Sequence, residues 1–292
     1  MSLANPFGGA LGQLIDPFLA NSPSDIPNMT LYIAIISSVA AIPSFFIPAS
    51  PPTPVSPSST PSRLPILQQI SLLIHSLTFW LIFIPFTTYV GFFNSLSSLL
   101  TQILTPYGYS ETESGVAGAL LILIGLVAAA ITSPIVDRSK QYLLLIKTLV
   151  PIIAICYLAF LWAPPSKGVA APYIICSTLG AASFSLVPIA LEWLVEVTWP
   201  VGPEVGSVIC WAGGQALGGI FIVVSDALQA GKEAKPAFNM KKALVFQAVV
   251  AVAVVPTAMA LGWVGGEVRN KRLEMEQEGT REGGGSAIND QG

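Results

Sequence analysis

Glu192 and Glu196 stand one helical turn apart in SFSLVPIALEWLVEVTWP (183–200), a stretch that carries no other charge. Residues four apart lie on one helix face. The pair therefore suits a charge lock across a passage, proton coupling or solute contact, or plain solvation at an interface. Gln215, in WAGGQALGGIFI (211–222), is the second candidate. An amide offers two donors and an acceptor and is costly inside an apolar span unless it finds partners. Those partners are either a bound solute or a neighbouring helix. Trp211 precedes Gln215 by one turn on the same face, where it either lines the same site or packs. No nucleophile, general base and orienting group cluster in the sequence, and no metal-ligand spacing occurs. Neither an enzyme nor a cofactor is expected.

The chain that must position these residues has 292 of them, 53% hydrophobic and 10% charged, with a mean hydropathy of +0.70. That leaves too little polar surface to cover a soluble globule, so the expected surroundings are a lipid bilayer. A net charge of −3 with scattered basic residues excludes nucleic acid as a partner. Cys156, Cys176 and Cys210 all fall in apolar runs and fit neither a disulfide framework nor a Cys-x-x-Cys pair. Crossing ~30 Å of hydrocarbon takes about 20 apolar residues. Windows of that kind predict spans near 29–48, 75–102, 115–136, 142–163, 172–197, 205–228 and 243–265. NPFGGALGQLIDPFLA (5–20) reads as a further span missing its front; without a charged n-region or a cleavage pattern it is not a signal peptide. LPILQQISLL (64–73) is expected to lie in the interface and to lead into one long, kinked span, in a window that Pro85, Gly91 and Pro106 would break, two half-helices being the alternative.

PASPPTPVSPSSTPSRLP (48–65) reads as a flexible linker. Its Ser-Pro and Thr-Pro steps are either phosphorylation sites or a by-product of composition. Basic residues in VDRSKQ (136–141) and RNKR (269–272) place those segments in the cytoplasm. The loops at 20–28 and 103–114, which carry acidic residues only, then face out. One loop opposes this parity: residues 229–242 hold Lys232, Lys235, Lys241 and Lys242 and would also face out. Counted from Pro172 at 1.5 Å per residue, Glu192 lies about 30 Å along its helix, so both carboxylates fall near the cytoplasmic end. Glu196, and with it Glu192, is expected to join Asp137 and Arg138 in a gating network, with Pro188 supplying a bend. His75 is expected as an interfacial residue and Lys147 as a snorkelling one.

NPFGGALGQLI (5–15) and WAGGQALGGIFI share a Gly-Gly pair, an Ala-Leu-Gly step and a glutamine. Gly8 and Gly12, and again Gly214 and Gly218, are spaced G-x-x-x-G, which bares a helix stripe for close packing. Matching segments six spans apart fit two parallel six-span repeats, with four spans expected ahead of Met1. PIVDRSK (134–140) resembles the Asp-Arg loop signature of the major facilitator superfamily. SLVPIALEWLVEVTWPVG (185–202) and GFFNSLSSLLTQILTPYGYS (91–110) are similar to its feline leukaemia virus subgroup C receptor-related branch.

The resemblance, from about Asn5 to Gly266, implies an all-α integral membrane fold, a major facilitator superfamily-like helical bundle. Residues 1–48 would be the last two spans of an N-terminal half and 49–66 a cytoplasmic linker. Residues 67–266 would form the complete C-terminal six-span bundle and 267–292 a disordered cytoplasmic tail. It also implies transport of a small organic solute, such as choline, ethanolamine, a haem-related compound or a vitamin-like molecule, by alternating access. Choline-transporting members look to have an aromatic residue where this chain has Asn94, a Gln where it has Pro6, and a Gln where it keeps Gln215. Asn94 thereby joins Gln215 and Trp211 as a substrate-binding candidate, with Asn5 and Gln13 as further polar positions. A quaternary ammonium is bound best by aromatic faces, so the expected solute is a differently polar one. The competing reading is a truncated, non-transporting membrane protein acting as partner or receptor. If the short chain is the working form, it is expected to pair with a second copy or another membrane chain.

Overall fold

The computed structural model describes residues 11–12, 15, 19, 23–46 and 64–263. Asn5, Pro6, Gln13, most of the 5–20 segment, the linker up to residue 63 and the tail lie outside them. The described helices are α1 (Ile26–Ala41, continued by a 3-10 turn to Phe46), α2 (Ile66–Ile74), α3 (Leu77–Leu104) and α4 (Glu111–Ser139). They continue with α5 (Tyr142–Phe160), α6 (Ala170–Val197), α7 (Pro203–Ala227) and α8 (Lys241–Met259). All but α2 are long and apolar enough to cross a bilayer, and the chain is an integral, multi-pass membrane protein. Each falls on a segment that hydropathy predicted.

Local chemistry sets the boundaries that hydropathy leaves loose. Helix α4 begins four residues before the predicted span because Ser110 and Glu113 form a capping box. The Glu113 N–H donates to Ser110 Oγ at 3.2 Å and the Ser110 N–H to Glu113 Oε2 at 2.8 Å. The break between α2 and α3 is made by His75, which ends α2, and Ser76, whose hydroxyl accepts the Phe79 N–H. Helix α3 runs unbroken through Pro85 and Gly91, so the half-helix alternative is set aside. Helix α2 exposes Ile66, Leu67, Leu72 and Ile74 but buries Gln69. That amide donates to the Leu64 carbonyl at 2.6 Å and accepts the Gly202 N–H at 2.7 Å, fastening α2 to the turn between α6 and α7.

Two pairings dominate the bundle, α4 on α6 and α3 on α7, followed by α5 on α6 and on α8, and α3 on α8. Exchanging α3-α4-α5 for α6-α7-α8 carries α4·α6 onto α7·α3 and α5·α6 onto α8·α3. Successive spans alternate direction, so a shift by three inverts the topology, the arrangement of an inverted repeat. Both main pairings depend on glycine. A Cβ on Gly214 would meet Val90 Cγ1 at 2.7 Å, and one on Gly218 would meet Asn94 Nδ2 at 3.0 Å. Across the other pairing, a Cβ on Gly180 would collide with the carbonyl oxygen of Leu121. The Gly214/Gly218 stripe therefore does the close packing its spacing predicts. Phe92 centres the core, stacked on Phe221 at 4.3 Å and tilted to Tyr157 at 5.5 Å. Helix α1 buries none of its residues.

Candidate functional site

Asn94 and Gln215 are nominated by different arguments and meet in space. Asn94 Nδ2 donates to Gln215 Oε1 at 3.0 Å, joining the middle of α3 to the middle of α7. Contacts between these helices climb in step, Phe86 with Trp211, Val90 with Gly214 and Asn94 with Gly218, so the helices run parallel. Gly218 leaves room for the Asn94 side chain, and Gln215 reaches it from one turn below. Asn94 is half-buried and Gln215 exposed. Trp211, 37% exposed, meets the buried Phe86 ring edge-on at 5.8 Å. Gln215 thus does bond a neighbouring helix and Trp211 does pack, yet both keep open surface on one face. A cavity of about 600 Å³ lies away from that face, where α7 gives way to α8, lined by Gln229, Asn239, Lys241 and Lys242 among others.

Behind Asn94, on the inner side of α3, is a polar cluster that no motif marks in the sequence. Gln247 of α8 is placed to donate through Nε2 to Ser95 Oγ at 3.3 Å and to Ser225 Oγ at 3.4 Å. The two hydroxyls are 3.5 Å apart, and all three residues are buried. The available signal is a lone amide in the apolar run VFQAVVAV (245–252).

At the end expected to be cytoplasmic, Glu192 is exposed and Glu196 half-buried in the last two turns of α6. Negative charge at a helix C-terminus is unfavourable and calls for a cation. Lys140 answers it. It caps α4 in the left-handed conformation (φ 52°), its N–H on the Val136 carbonyl at 2.8 Å. Its Nζ donates to Tyr142 Oη at 3.3 Å. That bond, and beyond it the charges of Asp137 and Glu192, hold the ammonium above its ordinary range against a smaller opposing cost of burial. Glu192 and Glu196 both act electrostatically on the Tyr142 hydroxyl. Asp137, Glu192, Glu196, Lys140 and Tyr142 thus share one electrostatic neighbourhood. Arg138 is exposed in the last turn of α4.

The sequence profile of the Major Facilitator Superfamily matches residues 1–223. The chain is 31% identical over 232 residues to solute carrier family 49 member A3 of Danio rerio, covering 78% of this chain and 49% of that one. It is 32% identical over 232 residues to the Xenopus tropicalis protein of the same name (78% and 48%). To the human choline/ethanolamine transporter FLVCR2 it is 26% identical over 242 residues (75% and 44%). All three are named as carriers or transporters, none as an enzyme. The chain spans about half the length of these relatives.

Proposed function

This chain belongs to the Major Facilitator Superfamily, and from that premise we propose that it carries a small organic solute across the bilayer by alternating access. The observation that supports this best is the Asn94–Gln215 pair at mid-span with Trp211 one turn away. Polar groups at that depth are expensive against lipid, so the face that bears them turns to water and solute. A second bundle must stand opposite for this one to rock against, and a longer chain or a second chain supplies it. Two amides recognise N–H and O–H groups, and one tryptophan face makes an incomplete cage for a quaternary ammonium. Among what the relatives are named for, ethanolamine fits this pair better than choline. Cells expressing the chain are expected to take up labelled ethanolamine faster than labelled choline, measured against empty-vector cells. Uptake of neither above background, with the opposing bundle present in the same cells, would remove the proposal.

In the same reading, Glu196, Glu192, Asp137 and Arg138, with Lys140 as a further cation, form a charge network that closes the cytoplasmic side. Closing requires a contact that breaks and reforms in each cycle, and ion pairs near an interface are weak enough to do so. Glu196→Gln should leave the amount of protein at the membrane unchanged and alter the maximal uptake rate by about threefold or more. An unchanged rate would exclude Glu196 from the gate.

A further inference from the structure

Gln247 is an amide where a hydrocarbon side chain would fill the space. It is 1% exposed, its sequence neighbours are Phe246 and Ala248, and its Oε1 has no hydrogen-bond partner among the described residues. A buried amide with a spare carbonyl is destabilising relative to an apolar residue of similar bulk. Its Nε2 faces Ser95 Oγ on α3 and Ser225 Oγ on α7 at once, so one side chain of α8 ties the two helices that carry Asn94 and Gln215.

The register makes that tie consequential. Ser95 follows Asn94, and consecutive residues on a helix are turned by about 100°. Holding Ser95 inward therefore holds Asn94 toward the open face. On α7, Trp211, Gly214, Gly218, Phe221 and Ser225 are spaced three and four apart, one stripe along the helix. Ser225 thus lies in line with Gly218, the residue whose missing Cβ admits Asn94. Rotation of α3 and separation of α3 from α7 are the two quantities on which the Asn94–Gln215 bond depends, and the Ser95–Ser225–Gln247 cluster bears on both. Without the Gln247 donor, each serine hydroxyl can turn back to its own helix carbonyl four residues earlier, which removes this polar tie between α3 and α7 and leaves the glycine packing to hold them.

We propose that Gln247 is a positioning residue for the Asn94–Gln215 pair, an inference that rests on reading that pair as the solute contact. The test uses the full chain with Cys156, Cys176 and Cys210 replaced by alanine. Asn94→Cys with Gln215→Cys reports on the pair; Thr132→Cys with Ser185→Cys, whose native hydroxyls are 3.1 Å apart, reports on α4 and α6. The rate of cross-linking by a short bis-methanethiosulfonate reagent is measured with Gln247 present and with Gln247→Met, which keeps the volume and removes the hydrogen bonds. The expected result is a fall of about fivefold at 94/215 with 132/185 unchanged. Equal rates at 94/215, or an equal fall at both positions, would overturn the inference, the second by showing a general loosening of the bundle. If Gln247→Met does not fold, Ser95→Ala with Ser225→Ala removes the same bonds and must give the same selective fall. The parent reading is checked apart, by the KM of Asn94→Ala for labelled ethanolamine. A normal KM with selective loss of cross-linking sinks the solute reading and keeps the positioning; a raised KM with unaltered cross-linking does the reverse.

Discussion

Gly180→Ala should leave little folded protein, whereas Gly219→Ala should be tolerated. A methyl at Gly180 on α6 would run into the Leu121 carbonyl on α4, with the carbonyl carbon at 2.7 Å and Cα at 3.1 Å. Main chain has no alternative rotamer with which to yield. The most extensively packed pair of helices would have to part along a face that buries Leu121 and Leu179. Overpacking of yielding side chains costs about 1–3 kcal/mol; against backbone, a loss of ~3 kcal/mol or more is expected. At Gly219 on α7 a Cβ would meet nothing within 4 Å, and alanine in a helix interior is favoured over glycine by about 1 kcal/mol. Gly218→Ala should fall between, because it meets side-chain atoms and not main chain, Asn94 Nδ2 at 3.0 Å, which can turn away, and Asn94 Cβ at 3.1 Å, which yields only if α3 and α7 part by a few tenths of an ångström. Size-exclusion profiles of the detergent-solubilised variants would rank them. A monodisperse Gly180→Ala at wild-type yield would mean that α4 and α6 do not meet as described.

The glycines also mark how far the sequence could be read. The spans were legible because a membrane helix is a long departure from average composition, and at ~20 residues the signal survives prolines such as Pro85, Pro134 and Pro188. Gly214 and Gly218 were legible as a packing stripe because their spacing repeats on one face. Gly125 and Gly180, which make the tighter interface, fall on different helices and leave no spacing to detect. The same holds for polar groups. Gln215 could be singled out as an amide in an apolar span, but its bond to Asn94, 121 positions away, is a product of the parallel docking of α3 and α7. Gln247 carries the same signal as Gln215, an amide in an apolar span, but no motif surrounds it. At the end expected to be cytoplasmic the carboxylates are visible as charges. The prominence of Lys140 comes from a left-handed residue at the end of α4, which sets where its side chain goes and which composition does not encode.

Asn94→Ala and Gln215→Ala should each raise the KM for ethanolamine uptake about tenfold, with the amount of folded protein unchanged. Loss of one hydrogen-bonding partner to a polar solute is worth about 1–3 kcal/mol, and 1.4 kcal/mol is tenfold in affinity. Stability should hold because the surviving amide lies on an open face, where water replaces its partner; Gln215 is exposed and Asn94 only half-buried. The two amides bond to each other and so act on the solute as a unit. Replacing both should therefore cost little more than replacing the more important one, whereas independent contacts would multiply. A pair serving only to join α3 and α7 gives the opposite pattern, a lower yield of folded protein with KM untouched. Asn94→Tyr separates recognition from packing further. An aromatic face on the same open side as Trp211, two turns further along α3 and α7, adds a second wall for a quaternary ammonium and removes the amide that favours N–H donors, so the preference should move from ethanolamine toward choline. If Asn94→Tyr leaves the ratio of the two uptake rates unchanged, position 94 does not face the solute, and the polar pair belongs to the packing of α3 on α7 alone.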